Sequence, residues 1–436
     1  MTVKTGHITV SLSEFSIGIV LPSDVVDVQN SGMLLLSKGI PVTEQLLTRL
    51  KERGINRVAV DAKSAAVIRG ARGRSAPRSP AKNPPAAAPE KPRDRVQRPK
   101  TPLPPKAKAK ELQNCKAQQK QNLEAVFQSV RNQTAPSAAL TRAIISESVN
   151  QIQADIDVFL KVALENSEAS ELHEHCLAAS QLAMSVGLME GLSEQAIQDL
   201  GAGCILSRIG QSAAATQFAR QMRELGVIEM LDLQRTPSRT FDFLQNMRDV
   251  SVGARSVAYQ IFERFDGSGY PRGRAGNQIS PLARLAAVCD VYVALTSPRP
   301  HRGPYEPYAA VEMLIHETRA KKFDPLAMRA LLRTIGLFPI GSFVRLSDGQ
   351  IGQVVRNHRE KYDQPVVHIF RDSYHTCVRE DQSTLDLSQV EGLRVISAIS
   401  SDAMQRLMAE AIVPDAPAGE LPFVDAAVEP VGALSA

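Results

Sequence analysis

The residues best suited to chemistry lie in one stretch, 263–302. It contains a glycine-rich turn, Asp266–Pro271, then an apolar helix interrupted by one carboxylate, Asp290, and then two arginines, Arg299 and Arg302. A carboxylate in a buried helix needs a metal ion, a cation or hydrogen bonds to offset its desolvation. The forked guanidinium groups of the arginines are suited to phosphate. The stretch therefore predicts a buried charged site next to donors for an anion.

Glycine and proline indicate which elements position these residues. Gly267 and Gly269 allow positive φ, so the turn is an ordered loop. Ser280-Pro281 opens the following helix, since Pro is tolerated at the first helical position. Apolar residues occupy nearly every side of that helix, which predicts that it is buried: Leu282, Leu285, Ala286, Val288 and Cys289.

A second candidate is the pair Glu171 and His175. At i and i+4 the two side chains share one side of a predicted helix. Imidazole and carboxylate are ligands for a divalent ion, but the same spacing arises by chance on amphipathic helices. The spacing alone leaves both interpretations open.

The stretch around the glycine turn resembles the HD-GYP family, bacterial metal-dependent phosphodiesterases that linearise and degrade cyclic-di-GMP. The similarity is carried by Asp266–Pro271 (DGSGYP), Ala283–Ser297 (ARLAAVCDVYVALTS) and Arg299–Arg302 (RPHR). His301 stands where the family more often has Tyr. The resemblance implies an HD-type helical bundle and a site for two or three divalent ions held by His and carboxylate ligands.

The resemblance allows a comparison of each ligand position. Three positions match the family: Glu171, His175 and Asp290. The others carry different residues: Ser207 and Arg208 for the His-Asp pair, Gln211 for the Lys that follows it, Thr236 for a His before Pro, and Ile261 and Phe262 for a His-His pair. One imidazole and two carboxylates hold at most one weakly bound Fe or Mn ion. We therefore expect no bound cofactor and no catalytic residue.

Arg208 has two interpretations. In the family, the residues at its position and at that of Asp290 contact the same metal cluster. We therefore expect Arg208 to lie near Asp290, and near Glu171, as a fixed counter-ion in place of metal. The alternative is that Arg208 extends to solvent at a helix end.

Ligand binding is separable from catalysis. Tyr270, Arg299 and Arg302 match positions by which the family shapes or contacts the nucleotide, so the resemblance implies cyclic-di-GMP as a ligand. The alternative is that the two arginines only pair with carboxylates such as Glu306.

The expected fold is mainly α, with an HD-type helical bundle between a small N-terminal α/β module and a small C-terminal β module. The predicted segments are an α/β module (1–61), a disordered basic Pro/Ala-rich linker (62–110), a helical connector (111–170), an HD-GYP-like helical domain (171–338), a β module (339–398), and a helix remnant with a disordered tail (399–436). Strands are predicted at Ile8–Leu12, Ile17–Leu21, Met33–Leu36, Val58–Val60, Phe343–Leu346, Ile351–Val355 and Pro365–Phe370, with helices from Thr43, through Leu123–Val130, and continuously from Pro136 to Leu164.

The net charge of +5 arises in residues 62–110, which hold fourteen Lys/Arg, two Asp/Glu and ten prolines. Such a composition predicts an extended spacer. Basic density also attracts nucleic acid or anionic membrane, but no aromatic residues are interleaved for base stacking, so contact of this kind is not favoured. No apolar run is long enough to span a membrane and no secretory leader is recognisable, so a cytoplasmic location with five reduced cysteines is expected.

The function these observations favour is a degenerate HD-GYP protein that acts as a non-catalytic regulatory or binding module in cyclic-di-GMP signalling. The alternative is an active metal-dependent phosphodiesterase that hydrolyses the dinucleotide to pGpG or GMP. Signalling proteins are the expected partners, and a homodimer is left open.

Overall fold

The computed structural model describes residues 7–71 with short gaps, 106–299 with gaps of which the longest are 166–171 and 213–225, 302–371, and 384–410. The chain divides into two compact units, residues 1–87 and 88–436.

The first unit contains an antiparallel sheet of β1 (His7–Ser11), β2 (Val25–Asp27), β3 (Leu34–Leu36) and β4 (Arg57–Asp61), in the order β1-β4-β2-β3. Its core is formed by Val10, Val58 and Val60 of the sheet, Leu21 from a loop, and Ile68 of α1 (Ala62–Ala71). The predicted strands at Ile8–Leu12, Met33–Leu36 and Val58–Val60 are present within a residue or two. Most of the predicted helix from Thr43 lies outside the described residues.

The described part of the predicted strand Ile17–Leu21 is not a strand of the sheet: Val20 forms only a β-bridge, and the strand that pairs with β4 beside β1 is β2. Leu21 is nevertheless buried, because an apolar residue in a loop can serve the core without joining the ladder. A buried loop residue and a buried strand residue are equally apolar, which is why the apolar run suggested a strand.

The predicted linker 62–110 is wrong at both ends. Residues 62–71 form α1, with Ala65 and Ile68 buried against the sheet, and residues 106–110 form the first turns of the next helix. The i, i+3 spacing of these two apolar residues places them on one side of a helix. The intervening part of the predicted linker, 72–105, lies outside the described residues.

The second unit is built mainly from helices. They are α2 (Lys106–Arg131), α3 (Ala138–Ala154), α4 (Ile156–Leu164), α5 (Leu172–Met189), α6 (Glu194–Leu206), α7 (Ile209–Ser212), α8 (Val227–Gln234), α9 (Thr236–Gln245), α10 (Val252–Gln260), α11 (Pro281–Thr296), α12 (Pro307–Arg319) and α13 (Pro325–Ile335). Their apolar residues form one continuous core, with α5 and α11 at its centre. The mainly α fold is confirmed.

The single helix predicted from Pro136 to Leu164 is divided in two at Asp155. Its carboxylate accepts a hydrogen bond from Val158 N–H at 3.3 Å and thereby starts α4. An Asp side chain satisfies a free N–H at a helix start, so it favours a boundary over continuation. The apolar periodicity across this point concealed the break.

The C-terminal module is a five-stranded antiparallel sheet of β5 (Phe343–Leu346), β6 (Ile351–Arg356), β7 (Val366–Arg371), β8 (Thr384–Asp386) and β9 (Val395–Ile399), followed by α14 (Ser401–Glu410). The predicted first three strands and the Asp348-Gly349 turn are confirmed, with Gly349 at φ 91°. Strands β8 and β9 were not predicted. Residues 411–436 of the predicted tail lie outside the described residues.

A buried ion group joins the β module to the helices. Arg356 on β6 donates to Asp155 through Nη1 at 3.0 Å and Nη2 at 3.1 Å, and to Asp157 at 3.3 Å. All three side chains are buried. Separating Arg356 from these carboxylates would leave buried charges uncompensated, which costs free energy of folding. The contact therefore fixes β6 against the start of α4.

None of the helices in the described ranges combines the length and apolarity needed to cross a membrane.

Candidate functional site

The site is organised around Asp290 on α11. Helix α11 begins at Pro281 after Ser280, as the sequence predicted, and its residues are buried on nearly every side. Asp290 is only 5% exposed. His175, on α5, and Arg208, between α6 and α7, lie against it because these helices pack next to α11.

Arg208 and His175 both contact the Asp290 carboxylate. Arg208 Nη2 donates to Oδ1 at 2.9 Å and to Oδ2 at 2.8 Å. His175 Nε2 lies 2.7 Å from Oδ1, and the Arg208 side chain is 15% exposed. The expected Arg208–Asp290 pair is therefore present, and Arg208 does not extend to solvent. Glu171, expected beside it, lies outside the described residues.

Electrostatics keeps this carboxylate ionised. Burial acts to raise the pKa of Asp290, but the Arg208 guanidinium and His175 hold that pKa well below its usual range. Burial lowers the pKa of His175, with Asp290 opposing and Arg208 reinforcing the effect. Because an ionised carboxylate only accepts, a neutral His175 carries its proton on Nε2 and donates to Asp290. The 3.2 Å approach of Arg208 Nη2 to Nε2 is then a contact without a hydrogen bond.

An aromatic stack covers the other side of the guanidinium. The Arg208 guanidinium carbon lies 4.8 Å from the centre of the Phe262 ring, and Phe262 stacks on Tyr270 at 5.3 Å with planes 6° apart. Phe262 and Ile261 are both buried. Arginine over an aromatic face is favourable when both are desolvated. The two substituted positions, Arg208 and Phe262, thus contact each other.

The remaining substituted positions contribute no charge. Ser207 is buried and donates to Cys204 O at 2.8 Å, while Thr236 is buried at the start of α9. Thr236 Oγ1 and Gln211 Oε1 are buried atoms with no hydrogen-bond partner within the described part of the chain.

The loop that carries Tyr270 is held by Glu263, which sequence reasoning did not single out. The buried Glu263 carboxylate accepts from Arg272 N–H and Arg274 N–H, each at 3.0 Å. Gly269 is required at its position, because an added Cβ would lie 2.3 Å from Arg264 N. A charged residue directly after two buried apolar ones was the available clue to Glu263.

The two predicted phosphate-binding arginines have different surroundings. Arg302 donates from Nη2 to Ala294 O at 2.9 Å and from Nη1 to Leu295 O at 3.2 Å, so it caps the C-terminal end of α11. Arg299 pairs with Arg302 through the backbone only. The carboxylate of Glu306 accepts from Ser401 N–H at 2.8 Å, and among the described residues no ion pair joins it to Arg299 or Arg302.

The charges of two further arginines, Arg264 and Arg299, interact with the charge of Asp290. Arg264 was missed at the sequence level; burial lowers its pKa, opposed by Tyr270 and Asp290 and reinforced by Arg208. Arg299 is exposed as a whole residue, yet the surrounding protein desolvates its guanidinium and, together with Arg208 and Arg302, lowers its pKa. The site is therefore rich in positive charge.

The described residues around Asp290 do not fit a cluster of divalent ions. Both Asp290 oxygens accept from Arg208, and Oδ1 also contacts His175. A permanent cation already occupies the lone pairs that a metal would use, and it would repel a second cation placed there. Within the ranges that the structure describes, no group of three or more His, Cys, Asp or Glu is arranged to hold a metal ion.

Comparison with known proteins finds similarity to two domain families in the second unit. Residues 158–326 match the HD domain family, and residues 343–407 match a KOW domain associated with the HD domain. The chain is 30% identical over 236 residues to the cyclic di-GMP phosphodiesterase PA4108 of Pseudomonas aeruginosa, covering 53% of this chain and 56% of the relative. It is 34% identical over 156 residues to the cyclic di-GMP phosphodiesterase response regulator RpfG of Xanthomonas campestris, covering 35% of this chain and 41% of the relative.

The chain thus spans about half the length, or less, of these curated relatives. Among solved structures, an HDG"Y"P protein from Bdellovibrio bacteriovorus is similar at 15% identity and a TM-score of 0.43, covering 74% of this chain and 98% of that one.

Proposed function

Because this chain carries an HD domain with cyclic di-GMP phosphodiesterases among its relatives, as expected for the HD-GYP family, we propose that it is a non-hydrolytic regulatory module of cyclic-di-GMP signalling. The observation that carries this proposal is the contact of Arg208 with both oxygens of Asp290. In the HD-GYP family, which this chain resembles, the carboxylate at this position binds a metal ion.

The chemistry of the substituted residues supports the proposal. Hydrolysis of a phosphodiester by two-metal chemistry needs ions that activate water and stabilise the charge of both attacking and leaving oxygens. A guanidinium stabilises negative charge but does not generate hydroxide from water at neutral pH, because it binds no water as a Lewis acid. Ile261 and Phe262 offer no ligand atoms, and both are buried.

The neutral His175 does not replace the missing base. Its Nε2 proton is donated to Asp290, whose own pKa is held far below the range useful for proton transfer at neutral pH. Neither the Nε2 atom of His175 nor the Asp290 carboxylate is therefore poised to accept a proton from water.

Metal content and hydrolysis together test the proposal. The purified chain, loaded with Fe or Mn and then desalted, is expected to retain fewer than two ions per chain and to leave cyclic-di-GMP intact. The matched control is His175→Ala, which should change neither result. Two or more tightly bound ions together with hydrolysis that His175→Ala abolishes would establish the alternative, an active phosphodiesterase, and would refute the proposal.

A further inference from the structure

Helix α2 has two halves of different character. Its second half, residues 121–131, buries four apolar side chains in the helical core: Leu123, Val126, Phe127 and Val130. Its first half, residues 106–120, contains five lysines and one glutamate. Among the described side chains of that half, only Leu112 and Gln119 are buried. Apolar burial therefore holds the second half in place and contributes little to the first.

Local charge also disfavours the first half as a helix. Lys108 and Lys110 lie in the first two turns of α2, and the first turn has no acidic residue. Positive charge near a helix N-terminus is unfavourable, because it meets the positive end of the helix dipole. The first half of α2 therefore depends on contacts with other helices to keep its place.

Two lysines supply such contacts. Lys116 Nζ donates to the carbonyl oxygens of Val162 at 2.7 Å and Glu165 at 2.6 Å, at the C-terminal end of α4. Lys120 Nζ forms an ion pair with Glu174 Oε1 at 2.8 Å, in the first turn of α5. The side chains of Lys120 and Glu174 are 25% and 21% exposed, so water can replace this ion pair at moderate cost. We call residues 106–120 the lysine strap.

The first turn of α5 connects the lysine strap to the Asp290 site. Glu174 contacts Lys120, and the next residue, His175, contacts Asp290 Oδ1 through Nε2 at 2.7 Å. Because a helical turn is a rigid unit, a displacement at Glu174 also displaces His175. The lysine strap and the Asp290 carboxylate thus hold the same turn from two sides.

We propose that the lysine strap is a detachable element that positions His175 against Asp290, so that release of the strap and loss of the His175–Asp290 contact favour each other. The second half of α2 stays in the core, and its Phe127 ring lies 6.3 Å from the His173 ring, centre to centre. Opening of α2 therefore ends before Leu123. The inference goes beyond the proposed function, since it involves neither a metal ion nor a nucleotide.

Hydrogen exchange of the full chain, resolved by mass spectrometry, tests the proposal. A pH of about 6.5 is suitable, because burial lowers the pKa of Lys116 to about 8 and the lysine is still charged there. In the wild type, amides of residues 108–120 are expected to exchange about tenfold or more faster than those of residues 123–130, because local opening takes less free energy than opening of the core.

Two variants test the coupling in opposite directions. Lys120→Gln removes the partner of Glu174, and exchange of residues 108–120 and 175–178 is expected to accelerate by about two- to fivefold, as loss of a partly exposed ion pair gives. His175→Ala changes a residue that makes no hydrogen bond or ion pair with α2 among the described residues. Because coupling is reciprocal, it is expected to accelerate exchange of residues 108–120 by about twofold or more.

Lys161→Gln is the matched control. It removes one positive charge near the same end of α4, from an exposed side chain without a hydrogen bond or ion pair to any described residue, and should change neither region. Residues 123–130 are the internal reference, because a general loss of stability would accelerate their exchange as well.

Three results would each overturn the proposal. They are equal protection of residues 108–120 and 123–130 in the wild type, unchanged exchange of residues 175–178 in Lys120→Gln, and unchanged exchange of residues 108–120 in His175→Ala. None of the three bears on the proposed function, which metal content and hydrolysis decide. Hydrolysis with bound metal would refute that function and leave the exchange results to decide on the lysine strap.

Discussion

Replacing Arg208 by Met measures how strongly the fold depends on the guanidinium beside Asp290. Methionine keeps much of the length and the contact with Phe262 but removes the charge. It leaves a carboxylate that is 5% exposed with His175 as its nearest partner. Removing one member of a buried ion pair costs about 3–5 kcal/mol, because the remaining charge is uncompensated. We expect a loss of about 3 kcal/mol, since His175 can take up a proton and offset part of the charge.

The loss should depend on pH with a definite sign. In the wild type the folded pKa of Asp290 is depressed, so the carboxylate stabilises the fold above its unfolded pKa of about 3.9 and loses that contribution as pH falls through the folded value. In Arg208→Met, burial is no longer opposed by the guanidinium and the folded pKa rises. The difference in unfolding free energy between wild type and variant should therefore shrink as pH is lowered from about 7 to about 4.

Urea unfolding followed by tyrosine fluorescence provides the measurement. The chain has no Trp, and its seven tyrosines all lie between residues 259 and 374, so this probe reports on the second unit. The control is the double variant Arg208→Met/Asp290→Asn, which removes both charges and should recover most of the lost stability. A loss below about 1 kcal/mol at pH 7, or a double variant less stable than Arg208→Met, would refute the buried-pair reasoning.

Three further predictions address the surrounding structure. Glu263→Gln removes the charge that holds two N–H groups of the glycine loop, so hydrogen exchange of that loop should accelerate; unchanged protection would contradict the assigned role. Gly269→Ala places a methyl group against the backbone at Arg264, so the unfolding free energy should fall by about 1–3 kcal/mol. An unchanged midpoint in urea would show that the loop can shift to make room. Arg356→Met removes the cation beside Asp155 and Asp157 and should lower the unfolding free energy by about 3–5 kcal/mol. The same fluorescence titration measures this loss. The control is the double variant with Asp155→Asn, which should lose less stability than Arg356→Met.

The sequence predicted those parts of the fold that depend on local chemistry. The start of α11 at Ser280-Pro281, its burial on nearly all sides and the hairpin at Asp348-Gly349 each follow from the residues at one place in the chain. The break at Asp155 depends on a capping hydrogen bond from Val158 N–H, which apolar periodicity does not register, so one helix was extended too far. Strand β9 depends on a distant partner, β5, which local sequence does not reveal, so the predicted sheet ended too early.

The site was predictable only where the resemblance supplied a shared location. It placed Arg208 beside Asp290, and the structure has that contact. It gave no indication that Phe262 would stack between Arg208 and Tyr270, because a ligand comparison registers a missing His and says nothing of what the new side chain packs against. Arg264 was overlooked for a similar reason: a charged residue next to a turn is usually solvated, whereas this guanidinium donates to Glu263 O and lies over the Phe323 ring.

The guanidinium beside Asp290 has a consequence for how the protein is made. An inorganic ion has to be acquired after synthesis, and it can be withdrawn by a chelator or altered by an oxidant. Arg208 is part of the polypeptide from translation onward, and its charge neither dissociates nor changes oxidation state. The centre of this bundle therefore acquires its counter-charge as the chain folds, in iron-poor and iron-rich cells alike.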